Sequence, residues 1–151
     1  MTSAEKLIEK VKRCAKEVYD ELGSEWKEEI YQKAMEVALR EARISYETQR
    51  ILPISYKGFV IGESIPDLVI WVEEKKGRKT AIVVDLKWDN AIKEDHLRQV
   101  RKYLQELKKQ AKHGEEVYRK GFVINFPKTA SSKMVTEPFE EVGEVQIMAV
   151  E

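Results

Sequence analysis

The sequence has a single cysteine, Cys14, among its 151 residues. One cysteine excludes a disulfide framework and any zinc site built from clustered cysteines. A chain of this length buries roughly two-thirds of its unfolded surface, so its core can stabilise the fold without disulfides. The lack of cysteine pairs is typical of a reducing compartment. We therefore predict a cytoplasmic protein with one domain, residues 1–151.

Long hydrophobic runs are also missing. The apolar runs are short, as in Leu68 to Val72, whereas a helix that spans a bilayer needs roughly 18 apolar residues in succession. The N-terminal segment has no apolar signal core, because Glu5, Lys6, Glu9 and Lys10 interrupt it. We expect no membrane partner.

An excess of charge of one sign is the third absence, since 27 basic and 27 acidic side chains balance. Proteins that bind nucleic acid without sequence preference are usually basic overall, so the net charge by itself argues against such a partner. The charged fraction is nevertheless high, at 36%. Abundant Lys and Glu are favoured at high temperature and suggest a thermophilic source, although solvated helices give the same composition.

Apolar residues at helical spacing predict two helices at the start of the chain, over 4–20 and 25–42. Ser3 and Ser24 are the predicted N-caps. The predicted core stripe of the second helix consists of Trp26, Ile30, Ala34, Val37 and Ala38.

The pattern then changes to runs typical of strands, and a second group of elements follows them. Strands are predicted over 44–54, 59–61, 67–72 and 81–86, with a tight turn at Lys57-Gly58. Strands that are apolar on both faces lie in a sheet covered by helices. A helix over 93–112, a strand over 121–125, a polar loop over 129–136 and a final strand over 142–150 complete the prediction. The order of elements indicates an α/β layer fold.

Two acidic residues and a lysine lie at the ends of neighbouring apolar strands. Asp67 opens one strand and Asp85 nearly closes the next, so their carboxylates face each other if the strands are antiparallel neighbours. Asp85 and Lys87 are two residues apart and share one face of a strand. Hard oxygen ligands suit Mg²⁺ or Mn²⁺, with water and a substrate phosphate completing the shell. A nearby lysine can orient an attacking water or stabilise developing charge.

The alternative interpretation of these three residues is a solvated strand end. Charged residues are common there, and a D-x-K triplet arises by chance in a chain that is 36% charged. The setting favours the metal site, because residues 82–86 are otherwise apolar. A carboxylate and a lysine in such a strand require each other or a metal ion.

The predicted helices carry further polar residues. Glu28 and Tyr31 are three residues apart on the second helix, and His96, Gln99 and Tyr103 form a polar stripe on the third. The alternative is that Tyr103 is an aromatic at the margin of the core and His96 a half-exposed helix residue.

Four segments carry a family resemblance. They are LGSEWKEEIY at 22–31, IPDLVI at 65–70, VVDLKW at 83–88 and HLRQVRKYL at 96–104, and GFVINF at 121–126 extends the series. In this order, over 22–126, they resemble the PD-(D/E)XK nuclease superfamily and, within it, the small proteins named for the pattern GxxExxY. The Q-x-x-x-Y element after D-x-K also resembles RecB-type nucleases.

The resemblance implies a restriction-endonuclease-like core, with a central mixed β-sheet flanked by helices. It implies Mg²⁺- or Mn²⁺-dependent hydrolysis of DNA phosphodiester bonds, and by analogy of fold a homodimer. The implied metal ligands are Asp67, Asp85 and Glu28, the last directly or through water. Lys87 would be the catalytic lysine, while Gln99 and Tyr103 would flank the substrate.

One departure from the family pattern keeps other functions open. Glu25 stands where GxxExxY has its first glycine, which questions the geometry of the second helix. A non-catalytic module that binds nucleic acid or protein on the same fold is one alternative. A structure-selective resolvase of Holliday junctions is another.

Basic residues cluster on the third helix despite the neutral total. Arg98, Arg101 and Lys102 are the predicted DNA contacts, since this helix follows the D-x-K strand directly. A solvated face balanced by nearby acids is the alternative. If charge is sorted in this way, the neutral sum does not exclude a nucleic-acid partner.

Overall fold

The computed structural model describes residues 1–128 and 139–151, so the predicted loop over 129–136 lies outside the described residues. The helices are α1 (Ser3–Leu22), α2 (Glu28–Glu41) and α3 (Glu94–Gln110). The strands are β1 (Ser45–Glu47), β2 (Leu52–Tyr56), β3 (Phe59–Ser64), β4 (Leu68–Lys75), β5 (Arg78–Asp89), β6 (Glu115–Val117), β7 (Gly121–Pro127), β8 (Glu140–Val142) and β9 (Val145–Val150). In these ranges no helix is both long and apolar enough to cross a membrane.

The main sheet has seven strands in the order β1-β4-β5-β7-β9-β8, with β6 beside the first part of β5. β5 runs parallel to β6 and β7, whereas the pairs β4–β5 and β7–β9 are antiparallel. α1 and α2 cover one face and α3 covers the other. The predicted α/β fold, a restriction-endonuclease-like mixed sheet flanked by helices, is confirmed.

The alternation of side chains along β5 decides which residues face which layer. Ile82 and Leu86 pack in the core under α1 and α2, and Val83 packs in the core under α3. Successive residues of a strand point to opposite faces, so Asp85 and Lys87 share the α3 face with Val83. The strand therefore stabilises both helical layers with one set of apolar side chains on each face.

The predicted strand over 44–54 is wrong, because it is two strands in different sheets. β1 pairs with β4 in the main sheet, whereas β2 pairs with β3 in a separate hairpin. Gln49, between them, has φ of 56°, which breaks the extended backbone. The predicted turn is confirmed: Lys57 and Gly58 have φ of 50° and 83°, as a two-residue hairpin turn requires.

The predicted core stripe of the second helix is largely wrong. Trp26, Ile30 and Val37 are exposed, and the buried residues of α2 are Tyr31, Met35 and Leu39. α2 begins at Glu28, so Trp26 lies in the preceding loop. The tyrosine at the first turn decides the buried face, because its ring stacks on Phe126 at 4.6 Å between centroids.

Neither predicted serine N-cap is used. The Oγ1 of Thr2 accepts the backbone N–H of Glu5 at 3.1 Å and caps α1. Lys27 precedes α2 without a side-chain capping bond, so Ser24 does not cap that helix.

Candidate active site

The register of β4 and β5 brings the two aspartates together. Leu68 pairs with Val84 in antiparallel register, and one further step places Asp67 opposite Asp85. Both side chains belong to the α3 face. The Oδ2 of Asp67 accepts the backbone N–H of Leu86 at 2.7 Å, which holds this side chain against β5. The two carboxylates therefore meet at one end of the sheet, as expected for antiparallel neighbours.

Asp85 is almost fully buried, at 1% exposure. Its Oδ2 lies 3.2 Å from the Nζ of Lys87, yet no donor in the described ranges meets that oxygen with hydrogen-bond geometry. Burial and, secondly, the charge of Asp67 raise the pKa of Asp85 far above its ordinary value, and Lys87 opposes both. A buried carboxylate without directed donors is costly, so this position favours a bound cation or a proton.

Lys87 lies among three acceptors. Its Nζ donates to the Oε1 of Gln99 at 3.0 Å and lies 4.0 Å from the Oε1 of Glu28, in addition to its contact with Asp85. Burial by itself lowers the pKa of Lys87, but the carboxylates, Asp85 first, outweigh burial and raise that pKa. The side chain is therefore an ammonium group, held in place by Gln99.

Glu28 is the first residue of α2 and borders the aspartate pair from the other helical layer. Burial raises the pKa of Glu28, against the opposing charge of Lys87, although the side chain is half exposed. Two bonds hold the start of α2 at this edge. Gln32 Nε2 donates to the backbone oxygen of Asp67 at 3.1 Å, and Trp88 Nε1 donates to that of Ser24 at 2.8 Å.

Tyr103 supports the segment that leads into Asp67. Its hydroxyl donates to the backbone oxygen of Ile65 at 3.2 Å, and its ring is buried under α3. Burial, followed by the charges of Asp85 and Asp67, raises the pKa of Tyr103, so the hydroxyl keeps its proton. Gln99 and Tyr103 are one helical turn apart, and they hold Lys87 and the segment before Asp67, respectively.

His96 stabilises the start of α3 and, in the described part of the chain, forms no hydrogen bond or ion pair with the aspartate pair. Its Nδ1 accepts the backbone N–H of Lys93 at 3.1 Å, and its Nε2 lies 3.6 Å from the Oδ2 of Asp89. Burial and then the charge of Lys87 lower the pKa of His96, so the ring is neutral near pH 7. Nδ1 is thus engaged in holding the start of α3.

The three basic residues predicted to contact DNA are exposed and lie within about 100° of arc on the outward face of α3, at different distances from the site. At about 100° of rotation per residue, Lys102 lies about 60° around the helix from Gln99, while Arg101 lies about 160° away. Arg98 occupies the outward face between them. The helix therefore brings Lys102 to the side of the aspartate pair and places Arg101 on the opposite flank.

Asn125 and Gln146 are buried polar residues that the motifs did not reveal. The Oδ1 of Asn125 accepts the backbone N–H of Asp89, and its Nδ2 donates to the backbone oxygen of Asp89 and to the Oε1 of Gln146, each at 3.0 Å. Asn125 is also the register partner of Lys87 on β7. Its side chain thus holds the end of β5 just beyond Lys87. An asparagine inside the apolar run GFVINF was the available signal.

Glu25 does not disturb the second helix. It lies in the loop before α2, and the residue of that loop that needs a positive φ is Gly23, at 74°. The hydroxyl of Tyr31 donates to the backbone oxygen of Gly23 and closes the loop onto the helix. The glycine of the family pattern is therefore not required at position 25 in this chain.

The acidic residues fit a hard divalent ion. In the described ranges no three His, Cys, Asp or Glu side chains form a ready metal-binding cluster. Mg²⁺ is usually held by one or two carboxylates together with waters and substrate phosphates. Asp67 and Asp85 match that donor set, and Glu28 borders them across Lys87, with its Oε1 4.0 Å from the lysine Nζ.

A mixed sheet between helices, with two aspartates and a lysine at the end of adjacent strands, defines a restriction-endonuclease-like α/β protein. A family model of the PD-(D/E)XK nuclease superfamily matches residues 5–137. Because that match covers most of the sequence, the chain belongs to this superfamily, which indicates a nuclease. Comparisons with curated proteins and with solved structures found no match.

Proposed function

We propose that the protein is a metal-dependent nuclease that hydrolyses DNA phosphodiester bonds at Asp67, Asp85 and Lys87. The observation that carries the proposal is the buried Asp85 carboxylate beside Asp67. A structural ion pair needs one acid and one base, whereas here Glu28 adds a third carboxylate around one ammonium group. The excess of negative charge favours a divalent cation.

Asp67 and Asp85 would hold Mg²⁺ or Mn²⁺, with Glu28 acting through water. The ion would activate the attacking water and offset charge on the phosphate. Lys87 is an ammonium group and cannot remove a proton, so its role is to orient the water or to stabilise charge that develops on the phosphate. Gln99 keeps this ammonium group directed at the site through its Oε1.

DNA would approach along the side of α3 that carries Lys102. Contacts with phosphates are electrostatic and do not require an excess of positive charge over the whole protein. Arg98 can reach a strand that extends outward, while Arg101 faces away. We therefore expect weak binding in the absence of metal, which decreases as salt increases.

The test is a cleavage assay on linear, circular and four-way branched DNA with Mg²⁺, Mn²⁺ or EDTA. We expect wild-type cleavage that needs the metal, and losses of at least about 100-fold for Asp85→Asn and Lys87→Met. Matched controls are Asp95→Asn, on the exposed start of α3, and Lys79→Met, on the same strand as Lys87.

Three outcomes separate the alternatives. Equal cleavage by wild type and both site variants would exclude the proposed site. Binding by wild type without cleavage under any condition would indicate a non-catalytic module. Cleavage restricted to the branched substrate would indicate the resolvase.

A further inference from the structure

The β2–β3 hairpin stands apart from the main sheet. In the described part of the chain its two strands pair with each other and with no third strand. Leu52, at its base, is buried in the core under α3, and the residues beyond it are largely exposed. The hairpin returns to the main sheet through Ile65 and Pro66, directly before Asp67.

The exposed part of the hairpin is strongly apolar. Phe59, Ile61 and Val60 are 74%, 67% and 64% exposed. The other exposed apolar side chains of the hairpin and its flanks are Ile51, Ile54, Tyr56 and Ile65. Phe59 and Tyr56, 74% and 58% exposed, alone present roughly 200–330 Å² at about 150–250 Å² for a full aromatic side chain, and the aliphatic residues add to this on both faces of the hairpin. Exposed apolar surface concentrated in one hairpin in this way marks an interaction site.

The charges of the hairpin favour a protein as the covering partner. Between residues 52 and 64 the only charged side chains are Lys57 and Glu63, which cancel. Nucleic-acid interfaces are strongly positive because they neutralise phosphates. A neutral apolar surface offers no such contact with phosphates, whereas it matches another apolar protein surface.

The backbone of the hairpin indicates which protein. Pro53 leaves β2 without one N–H donor, whereas β3 contains no proline and has an open outer edge. An open apolar edge strand pairs readily with another strand. Pairing with the same strand of a second copy, about a two-fold axis, closes the assembly. It covers the equivalent surface on both copies. In a continuous sheet through both copies, the exposed apolar side chains on each face of β3 would pack beside those of the second copy.

We propose that the β2–β3 hairpin forms the interface of a homodimer, in which β3 pairs antiparallel with β3 of a second copy. The family resemblance suggests only that two copies associate, and the hairpin assigns the surface. The proposal does not depend on nuclease activity, because it rests on the exposed surface alone.

Sedimentation analysis over a wide range of protein concentration, in EDTA and without DNA, tests the interface. We expect a dimer for wild type and a dimer dissociation constant at least about tenfold higher for Phe59→Lys and Ile61→Lys. Val37→Lys is the matched control, since Val37 is 46% exposed on α2, away from the hairpin, and it should behave as wild type. Circular dichroism and thermal melting establish that each variant is folded.

A crosslink gives a second measurement that does not weaken the interface. Cys14 is buried, so a cysteine placed on the surface is the reactive thiol. Oxidation should link Ile61→Cys into a covalent dimer and leave Val37→Cys monomeric. A wild type that stays monomeric at the highest concentration overturns the proposal, as does equal weakening by the control. Monomeric wild type whose Ile61→Lys variant loses DNA binding would assign the hairpin to nucleic acid instead.

Discussion

The end of the sheet that carries Asp85 and the tip of the β2–β3 hairpin depart from the usual distribution of side chains in opposite directions. At the first, a carboxylate is 1% exposed, and at the second, Phe59 is 74% exposed. Only Ile65 and Pro66 separate the hairpin from Asp67 in the chain. Buried charge is costly to the fold, whereas exposed apolar surface is costly to solubility. Two such departures so close together indicate surfaces whose role lies outside the isolated chain.

A single strand, β5, contributes both to the hydrophobic core and to the candidate site. β5 contributes Ile82 and Leu86 to the core and Asp85 to the site. A change at Asp85 should therefore affect stability and function in opposite directions, and a change at the hairpin tip should leave the stability of the folded monomer almost unaltered.

Asp85→Asn should have the largest effect. An amide is uncharged at every pH, whereas Asp85 must either be ionised against burial and Asp67 or take up a proton above its ordinary pKa, so we expect the metal-free protein to gain about 1–3 kcal/mol in free energy of unfolding. It should also lose stabilisation by Mg²⁺ and at least about 100-fold in cleavage. Thermal melting in EDTA and in Mg²⁺ measures the first two, with Asp95→Asn as the control. A variant less stable than wild type in EDTA would contradict this account of Asp85.

Asn125→Leu should have the next largest effect on stability. It tests whether the hydrogen bonds of this buried amide stabilise the end of β5. The backbone N–H and oxygen of Asp89 lose their partners, and we expect a loss of about 1–3 kcal/mol in free energy of unfolding. Denaturant unfolding measures this, and Asn90→Leu, in the adjoining exposed turn, should cost far less. Equal costs at positions 90 and 125 would show that the Asn125 bonds do not stabilise the end of β5.

The stability of the metal-free protein should decrease as pH rises. The pKa of Asp85 in the folded chain lies above its ordinary value of 3.8, so the folded state holds this proton more tightly than the unfolded state does. The resulting stabilisation is complete below the ordinary pKa and is lost as pH rises through the folded pKa. Unfolding at a series of pH values should show this decline in wild type and less of it in Asp85→Asn. Identical slopes would assign the pH dependence to other groups, such as Glu28.

Val60→Lys should have the smallest effect on the monomer. Its side chain is largely exposed, so we expect a change within about 0.5 kcal/mol in free energy of unfolding, measured at concentrations where the dimer is dissociated. Leu68→Ala, in the core, should cost about 2–5 kcal/mol under the same conditions. If the two costs were similar, the hairpin would be part of the core and the contrast with the site would fail.

Much of the fold was predictable because its patterns are local. The apolar run over 81–86 predicts a buried strand, and the spacing of Asp85 and Lys87 places them on one face. The break at Gln49 was missed, since a left-handed glutamine has no clear pattern in the sequence. The face of α2 was also missed, because Tyr31 is chosen by stacking on Phe126, which is far away in the chain.

The candidate site shows the same division. The positions of Asp67 and Asp85 at the ends of neighbouring strands link them in the sequence, and the antiparallel register of β4 and β5 brings them together. Asn125 was not predicted, because its importance comes from bonds to the backbone of Asp89 across two strands. Lys102 and Arg101 look equivalent in sequence, and only the orientation of α3 distinguishes them.

By itself, the sequence determined which residues share a face of each strand, the order of the motifs and the residue types that can bind a metal. These properties depend on neighbours in the chain. The tertiary structure decided the depth at which Asp85 is buried, the acceptors around Lys87 and the exposure of the hairpin. Those properties depend on which segments pack together, and burial is what turns an ordinary carboxylate into one with a raised pKa.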